Sequence, residues 1–177
     1  MKNQVLAISL RPTSLDDMVG CAALTQQIRG HARTGRMPQA WLFASDTGTG
    51  KTTLARIVAR ALQCNHVKEF GAKCGVCESK QCDFDIFEIN ASETSGVEDM
   101  IRIADNANYA PRPPSLRRVF ILDEVQRVSK AGMQALLKTF EDCPVTSVWI
   151  VCTTDPHKLI APLRNRCVHY RIPAFTP

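Results

Sequence analysis

One stretch, Ser45-Asp46-Thr47-Gly48-Thr49-Gly50-Lys51-Thr52, limits what this chain can become more than any other. The apolar run Ala40-Trp41-Leu42-Phe43-Ala44 before it reads as a short buried strand, and Thr53 to Leu62 after it reads as a helix. A glycine-bearing loop between strand and helix, closing in Gly-Lys-Thr, is the setting of a phosphate-binding loop. Glycines let main-chain N–H groups close around a phosphate, and the helix N-terminus adds partial positive charge. Lys51 can reach the β and γ oxygens, and the Thr52 hydroxyl can ligate Mg²⁺. The bland reading, a glycine-rich turn before a helix, does not explain Gly50-Lys51-Thr52 in this place. Ser45 stands where the usual pattern begins with glycine, so strain is expected there if the turn needs a positive φ.

A second anchor is Val119-Phe120-Ile121-Leu122-Asp123-Glu124. Four consecutive apolar residues suit a central parallel strand buried on both faces. Two carboxylates at its C-terminal end lie where open α/β sheets bind ligands. Asp123 would hold Mg²⁺ through water, and Glu124 would polarise the water that attacks the γ-phosphate. A carboxylate pair after a strand is weak evidence alone; downstream of a phosphate loop it becomes strong. Val148 to Cys152 reads as another buried strand, ending in Thr153-Thr154. A polar side chain at Thr154 would sit between the loop and Glu124 and orient the water. The alternative is a hydroxyl that caps the following turn.

The remaining elements follow from periodicity. Helices are expected from about Ala22 to Thr34 (Leu24, Ile28 and Ala32 on one face), from Val97 to Asn106 (Ile101, Ile103 and Ala104 apolar) and from Lys130 to Phe140 (Met133, Leu136, Leu137 and Phe140 inward). Ile86 to Ile89 and Val168 to Ile172 read as further strands. Residues 1–20 read as an extended lead-in. Either it is a surface arm packed by Leu10, Leu15 and Val19, or it brings Val19 and Gly20 beside an adenine, with Arg11 counted among the nucleotide-binding residues.

Residues 64–82 interrupt this pattern with Cys64, Cys74, Cys77 and Cys82. Four thiolates so spaced can surround a tetrahedral Zn²⁺, with Cys74-x-x-Cys77 as the tight knuckle. His66 is a rival ligand if Cys64 points away. A four-cysteine shell leaves no open position, so the site is read as structural. Cys21, Cys143, Cys152 and Cys167 are scattered and read as packing residues. The chain carries eight cysteines, 45% hydrophobic residues and a net charge of +5. That charge permits a polyanionic partner without demanding one. No apolar run approaches membrane-spanning length and no signal-peptide core is present, so the expected location is the cytoplasm.

In order, these segments resemble the AAA+ clamp-loader ATPases: the phosphate loop, the cysteine insert, Leu122-Asp123-Glu124, Ala135-Leu136-Leu137-Lys138-Thr139-Phe140-Glu141, Thr153-Thr154-Asp155-Pro156 and Arg166-Cys167. The resemblance runs from Arg11-Pro12 to Arg166-Cys167. It implies an α/β fold: a large RecA-like AAA+ P-loop subdomain over residues 1–177, with a mostly parallel five-stranded sheet flanked by helices and a zinc module at 64–82. It implies an ATPase that uses ATP and Mg²⁺ to load a sliding clamp onto primer–template DNA alongside other clamp-loader subunits. Arg166 would be the arginine finger that reaches a neighbouring subunit's γ-phosphate. Without the resemblance, a surface salt bridge is the simpler reading of Arg166. Asn90 would be the switch residue that holds Glu124 away, and Tyr109-Ala110-Pro111 would lie near the clamp-facing edge. Lys130 would touch DNA phosphate or simply be solvated. Departures are Ser45, Asn165 in place of serine, and a wider gap between Cys77 and Cys82. The family's lid and collar would follow residue 177, so this domain alone is expected to hydrolyse ATP slowly or not at all. Two rival readings remain: a non-hydrolysing clamp-loader subunit, against which Lys51, Thr52, Asp123 and Glu124 speak, and another AAA+ DNA remodeller, against which the cysteine insert speaks.

Overall fold

Residues along each central strand alternate between two apolar layers, and that alternation sets the architecture. In the computed structural model, which describes residues 10–66, 68–75, 85–113 and 115–174, five strands form one parallel sheet. They are β1 (Ala40–Ala44), β2 (Ile86–Asn90), β3 (Arg118–Asp123), β4 (Ser147–Thr153) and β5 (Val168–Arg171), in the order β2-β3-β4-β1-β5. Trp41, Phe43, Val119, Ile121, Val148 and Ile150 face one layer. Leu42, Phe120, Leu122, Trp149 and Val151 face the other. Central strands buried on both faces therefore read as continuous apolar runs. The edge strands β2 and β5 are only partly covered.

On the first face lie α1 (Ala22–Thr34) and α2 (Lys51–Gln63), through Leu24, Ile28, Leu54, Ile57 and Val58. On the second lie α3 (Val97–Asn106), α4 (Lys130–Glu141) and the short α5 (Ala161–Asn165), through Met100, Ala104, Met133, Leu136 and Leu163. Helices on both faces of a parallel sheet follow from right-handed βαβ crossovers. Of the apolar positions read on α3, Ala104 turns inward and Ile101 does not. Met100 and Ala104 are buried, Ile103 is partly so, and Ile101 is 45% exposed. Helical spacing allowed either stripe, and the approach of α4 selects this one. That approach is close because α4 carries Gly132, where a Cβ would meet Val128 Cγ1 at 2.9 Å and Met100 Cγ at 3.2 Å. Ser129 caps α4, its hydroxyl accepting from the Gly132 N–H at 3.0 Å.

Aromatic rings Phe87, Phe120, Trp149 and Phe140 stack in sequence across the second face, with centroids 4.7–5.0 Å apart. At the N-terminal end of the sheet Arg118 is buried beside Asp85 at 3.7 Å and lies over the Phe87 ring. The lead-in arm packs by Leu15, which is 2% exposed and whose N–H donates to Gly71 O at 2.8 Å. Leu10 and Val19, expected to help pack the arm, are 77% and 73% exposed. Of the three residues read as packing the arm, only Leu15 is buried, and Ser14 and Met18 are buried beside it. Among the described residues no helix is long and apolar enough to cross a membrane.

Candidate nucleotide-binding site

Parallel pairing brings the C-terminal ends of β1, β3 and β4 to one edge. Ala44 pairs with Thr153, Leu122 pairs with Val151, and Asp123 pairs with Asn90 of β2. The loop from Ala44 to Lys51 rises from this edge. Gly48 and Gly50 take φ of +81° and +92°, which only glycine adopts without strain. Ser45 keeps a φ outside that region, so the serine brings none of the strain the missing glycine suggested. Its hydroxyl instead makes a short hydrogen bond with Thr49, which also donates to Asp46 O at 2.9 Å. The Ser45 N–H donates to Thr153 O, fastening the loop to β4.

Lys51 is 5% exposed, and its ammonium donates to the carbonyls of Ser45 at 2.9 Å and Asp46 at 2.7 Å. The lysine thus lies folded inside its own loop, on neutral acceptors that phosphate oxygens can replace. The Thr52 hydroxyl donates to Asp123 Oδ2 at 2.6 Å. Asp123 Oδ1 accepts from the Glu124 N–H at 2.9 Å. These two residue types, hydroxyl and carboxylate in contact beside a phosphate loop, suit a hard cation that keeps oxygen ligands. Glu124 follows at φ +55°, the sole non-glycine residue in the left-handed region among the described residues. Such strain gathers at functional sites. A cavity of about 300 Å³ is lined by Arg11, Thr47, Gly48, Gly50, Lys51, Thr52, Thr53 and Glu124. Two larger cavities, about 540 and 560 Å³, lie against the cysteine segment and the arm. Volume alone would have pointed there; the donor set points here.

The other sequence candidates divide. Arg11 reaches the cleft. Met18 stands near it, with Cε 3.9 Å from where a Cβ on Gly50 would be, and the next residues Val19 and Gly20 are exposed. Thr154 is joined to Glu124 through Gln126, whose amide nitrogen donates to both. Gln126 escaped the sequence reading because an amide two residues past a carboxylate pair carries no motif. Asn90 bonds Glu93 and the Ser92 N–H. Arg166 lies outside the cleft, exposed, pairing with Glu141 and donating to Pro162 O at 2.9 Å. Lys130 and Tyr109 are exposed.

At the cysteine segment, ligand atoms of Cys64, His66 and Cys74 all lie within 4.8 Å of one another. Cys64 Sγ is 3.8 Å from His66 Nδ1. With metal–ligand bonds of about 2.0 and 2.3 Å, tetrahedral zinc separates its ligands by about 3.5–3.8 Å; the Cys64–His66 pair stands at that spacing, and the residue types suit zinc. Cys64 and His66 point to the same place, so His66 is not merely an alternative to Cys64. Cys77 and Cys82 lie outside the described residues. The scattered thiols differ: burial pushes those of Cys21, Cys143 and Cys152 up, and that of Cys167 to about 12. Such groups pack rather than ligate.

The family model described as DNA polymerase III, delta subunit, matches residues 20–176. The chain is 34% identical over 180 residues to the DNA polymerase III subunit gamma of Buchnera aphidicola, covering 97% of this chain and 48% of that protein. It is 37% identical over 174 residues to subunit gamma/tau of Mycobacterium tuberculosis, covering 94% of this chain and 30% of that protein. It therefore spans about half or less of these relatives. Among solved structures, the Thermotoga maritima RuvB Holliday junction branch migration motor superposes with a TM-score of 0.60 at 23% identity, over 92% of this chain and 48% of that one. A DNA polymerase III gamma subunit-related protein of the same organism gives 0.60 at 20% identity, over 84% and 46%. Likeness at that identity speaks for the fold alone, a five-stranded parallel sheet with helices on both faces.

Proposed function

Because the chain belongs to the DNA polymerase III delta-subunit family, whose model matches residues 20–176, we propose that it is the nucleotide-handling domain of an ATP-hydrolysing clamp-loader subunit resembling gamma/tau. The observation that carries this reading is the meeting of Lys51, Thr52, Asp123 and Glu124 at one edge of the sheet. A non-hydrolysing structural subunit, the main rival, has no need of that lysine or of a glutamate held in a strained backbone.

In this reading the loop N–H groups and Lys51 hold the β- and γ-phosphates, the lysine exchanging carbonyl oxygens for phosphate oxygens. Thr52 and Asp123 hold Mg²⁺, which would offset charge on the phosphates. Glu124 accepts a proton from the attacking water, and Thr154 orients that water. Arg11 closes the outer side of the cleft. Arg166, outside the cleft of its own chain, serves a neighbour's nucleotide, so turnover needs an assembly. Its pairing with Glu141 must then open or tilt when subunits meet. The partners are other clamp-loader subunits, a sliding clamp and primer–template DNA, in the cytoplasm. A structural zinc held by Cys64 and Cys74, with Cys77 and Cys82 or with His66, ties down the segment between α2 and β2.

Two measurements test the reading. Fluorescent ATP should bind this domain, and Lys51→Ala should abolish binding, since it removes the one buried cation of the loop. No binding at millimolar nucleotide would favour the structural-subunit reading. In the full-length assembly, Glu124→Gln should keep ATP binding and stop turnover.

A further inference from the structure

The Gln126 side chain spends its whole hydrogen-bonding capacity between Glu124 and the end of β4. Its Nε2 donates to Glu124 Oε2 and, at 2.8 Å, to Thr154 Oγ1. Its Oε1 accepts from Thr153 Oγ1 at 2.8 Å and from the Thr154 N–H at 3.3 Å. A carboxamide has two N–H donors and one oxygen with two lone pairs, so all four places are filled. The amide can face only one way. The Thr154 main-chain N–H can only donate, which turns the oxygen toward β4. The nitrogen then faces Glu124, whose ionised carboxylate can only accept.

Two consequences concern the reacting groups. Glu124 Oε2 is held by an amide donor, which leaves Oε1 to take the proton of a water. The Thr154 hydroxyl oxygen accepts a hydrogen bond from the Gln126 amide, so its own O–H is left to donate. A threonine so polarised meets a phosphate oxygen or a water lone pair as a donor. The short turn Val125–Arg127 that carries Gln126 begins directly at Glu124, whose backbone sits at φ +55° and ψ +37°. Backbone and amide together restrict where the glutamate can point.

We infer that Gln126 is a positioning residue for the hydrolysis assigned above, tying Glu124 to the tip of β4 so that base and Thr154 hydroxyl are set as one unit. The inference rests on that assignment. An architectural role, with Gln126 merely closing the end of β4 through Oε1, makes a different forecast for one substitution. Gln126→Glu keeps oxygens toward Thr153 and the Thr154 N–H but loses both donors and faces Glu124 with like charge. Gln126→Met removes the whole set at similar length.

The test uses the full-length subunit in its assembly, with steady-state ATPase and melting temperature measured on each variant. Both variants should leave KM for ATP within about twofold and lower kcat by about tenfold to a hundredfold. In a Thr154→Val background, Gln126→Met should cost less in kcat than it does alone, because the two act through one unit. If Gln126→Met fails to fold, Gln126→Glu decides. A folded Gln126→Glu protein with unchanged kcat overturns the inference, as do strictly additive losses with Thr154→Val. Glu124→Gln is the control: retained turnover there fells the ATPase assignment itself, whereas lost turnover there beside an unaffected Gln126→Glu fells this inference alone.

Discussion

The Thr52 hydroxyl donates to the Asp123 carboxylate across 2.6 Å, joining the first turn of α2 to the end of β3 over 71 positions of sequence. The contact exists because β1 and β3 flank β4 in register, which brings a loop after one strand above the tip of another. Magnesium placed between this pair and a nucleotide would take oxygen from both. Asp123→Asn keeps the shape and removes the charge. ATP affinity measured by calorimetry should then fall about tenfold or more with Mg²⁺ present and stay unchanged in EDTA. Equal losses in both buffers would show that Asp123 acts on the fold instead.

The cysteine segment should hold metal. Elemental analysis of purified protein is expected to give about one zinc per chain, since thiolate and imidazole ligands this close bind zinc strongly. Cys64→Ser should lose the metal and lower the melting temperature. A fully folded, metal-free protein would refute the site. Cobalt substitution adds a separate readout: the visible bands of Co²⁺ differ between all-sulfur and sulfur–nitrogen shells, so a spectrum unmoved by His66→Ala would exclude His66 as a ligand.

Gly71 has two reasons to be glycine. Its φ is +74°, and a Cβ there would meet Leu15 Cδ1 at 2.4 Å and Cγ at 2.5 Å. Leu15 is buried and pinned to the same residue by its main-chain N–H, so it has no room to yield. Gly71→Ala should therefore cost about 1–3 kcal/mol in denaturant unfolding. A loss of only a few tenths would mean that the arm shifts freely away from this loop.

Asp17 makes the arm sensitive to acid. The Ser14 hydroxyl at 2.9 Å is the main cause that holds its carboxyl below the usual value near 3.8; burial opposes this, and the Thr13 and Ser14 N–H groups and Lys73 add to it. The folded value lies below the unfolded one. The contribution is therefore present above the unfolded value and disappears as pH falls through the folded one. Asp17→Asn should lower the melting temperature at pH 7, and its deficit against the parent should shrink once pH drops below about 4. Because Asp17 is one-third exposed, the effect should be small and weakened by salt. A deficit that stays constant to low pH would assign it to geometry, not charge.

What the amino-acid order settled alone is what short-range chemistry can settle. Glycine at 48 and 50, lysine and threonine before a helix, and unbroken apolar runs at 40–44, 119–122 and 148–152 already define a phosphate loop on a parallel sheet, because each signal depends only on neighbours along the chain. The missing glycine at Ser45 looked like a source of strain and is not, since main-chain φ there answers to the bond between Ser45 and Thr153. Folding decided the rest. Which stripe of α3 turns inward, whether Thr52 meets Asp123, why position 71 must lack a side chain, and that Gln126 bridges Glu124 to Thr154 all depend on partners brought together across the sheet. Such contacts leave no local period or motif to read, and only the packing of one element on another creates them.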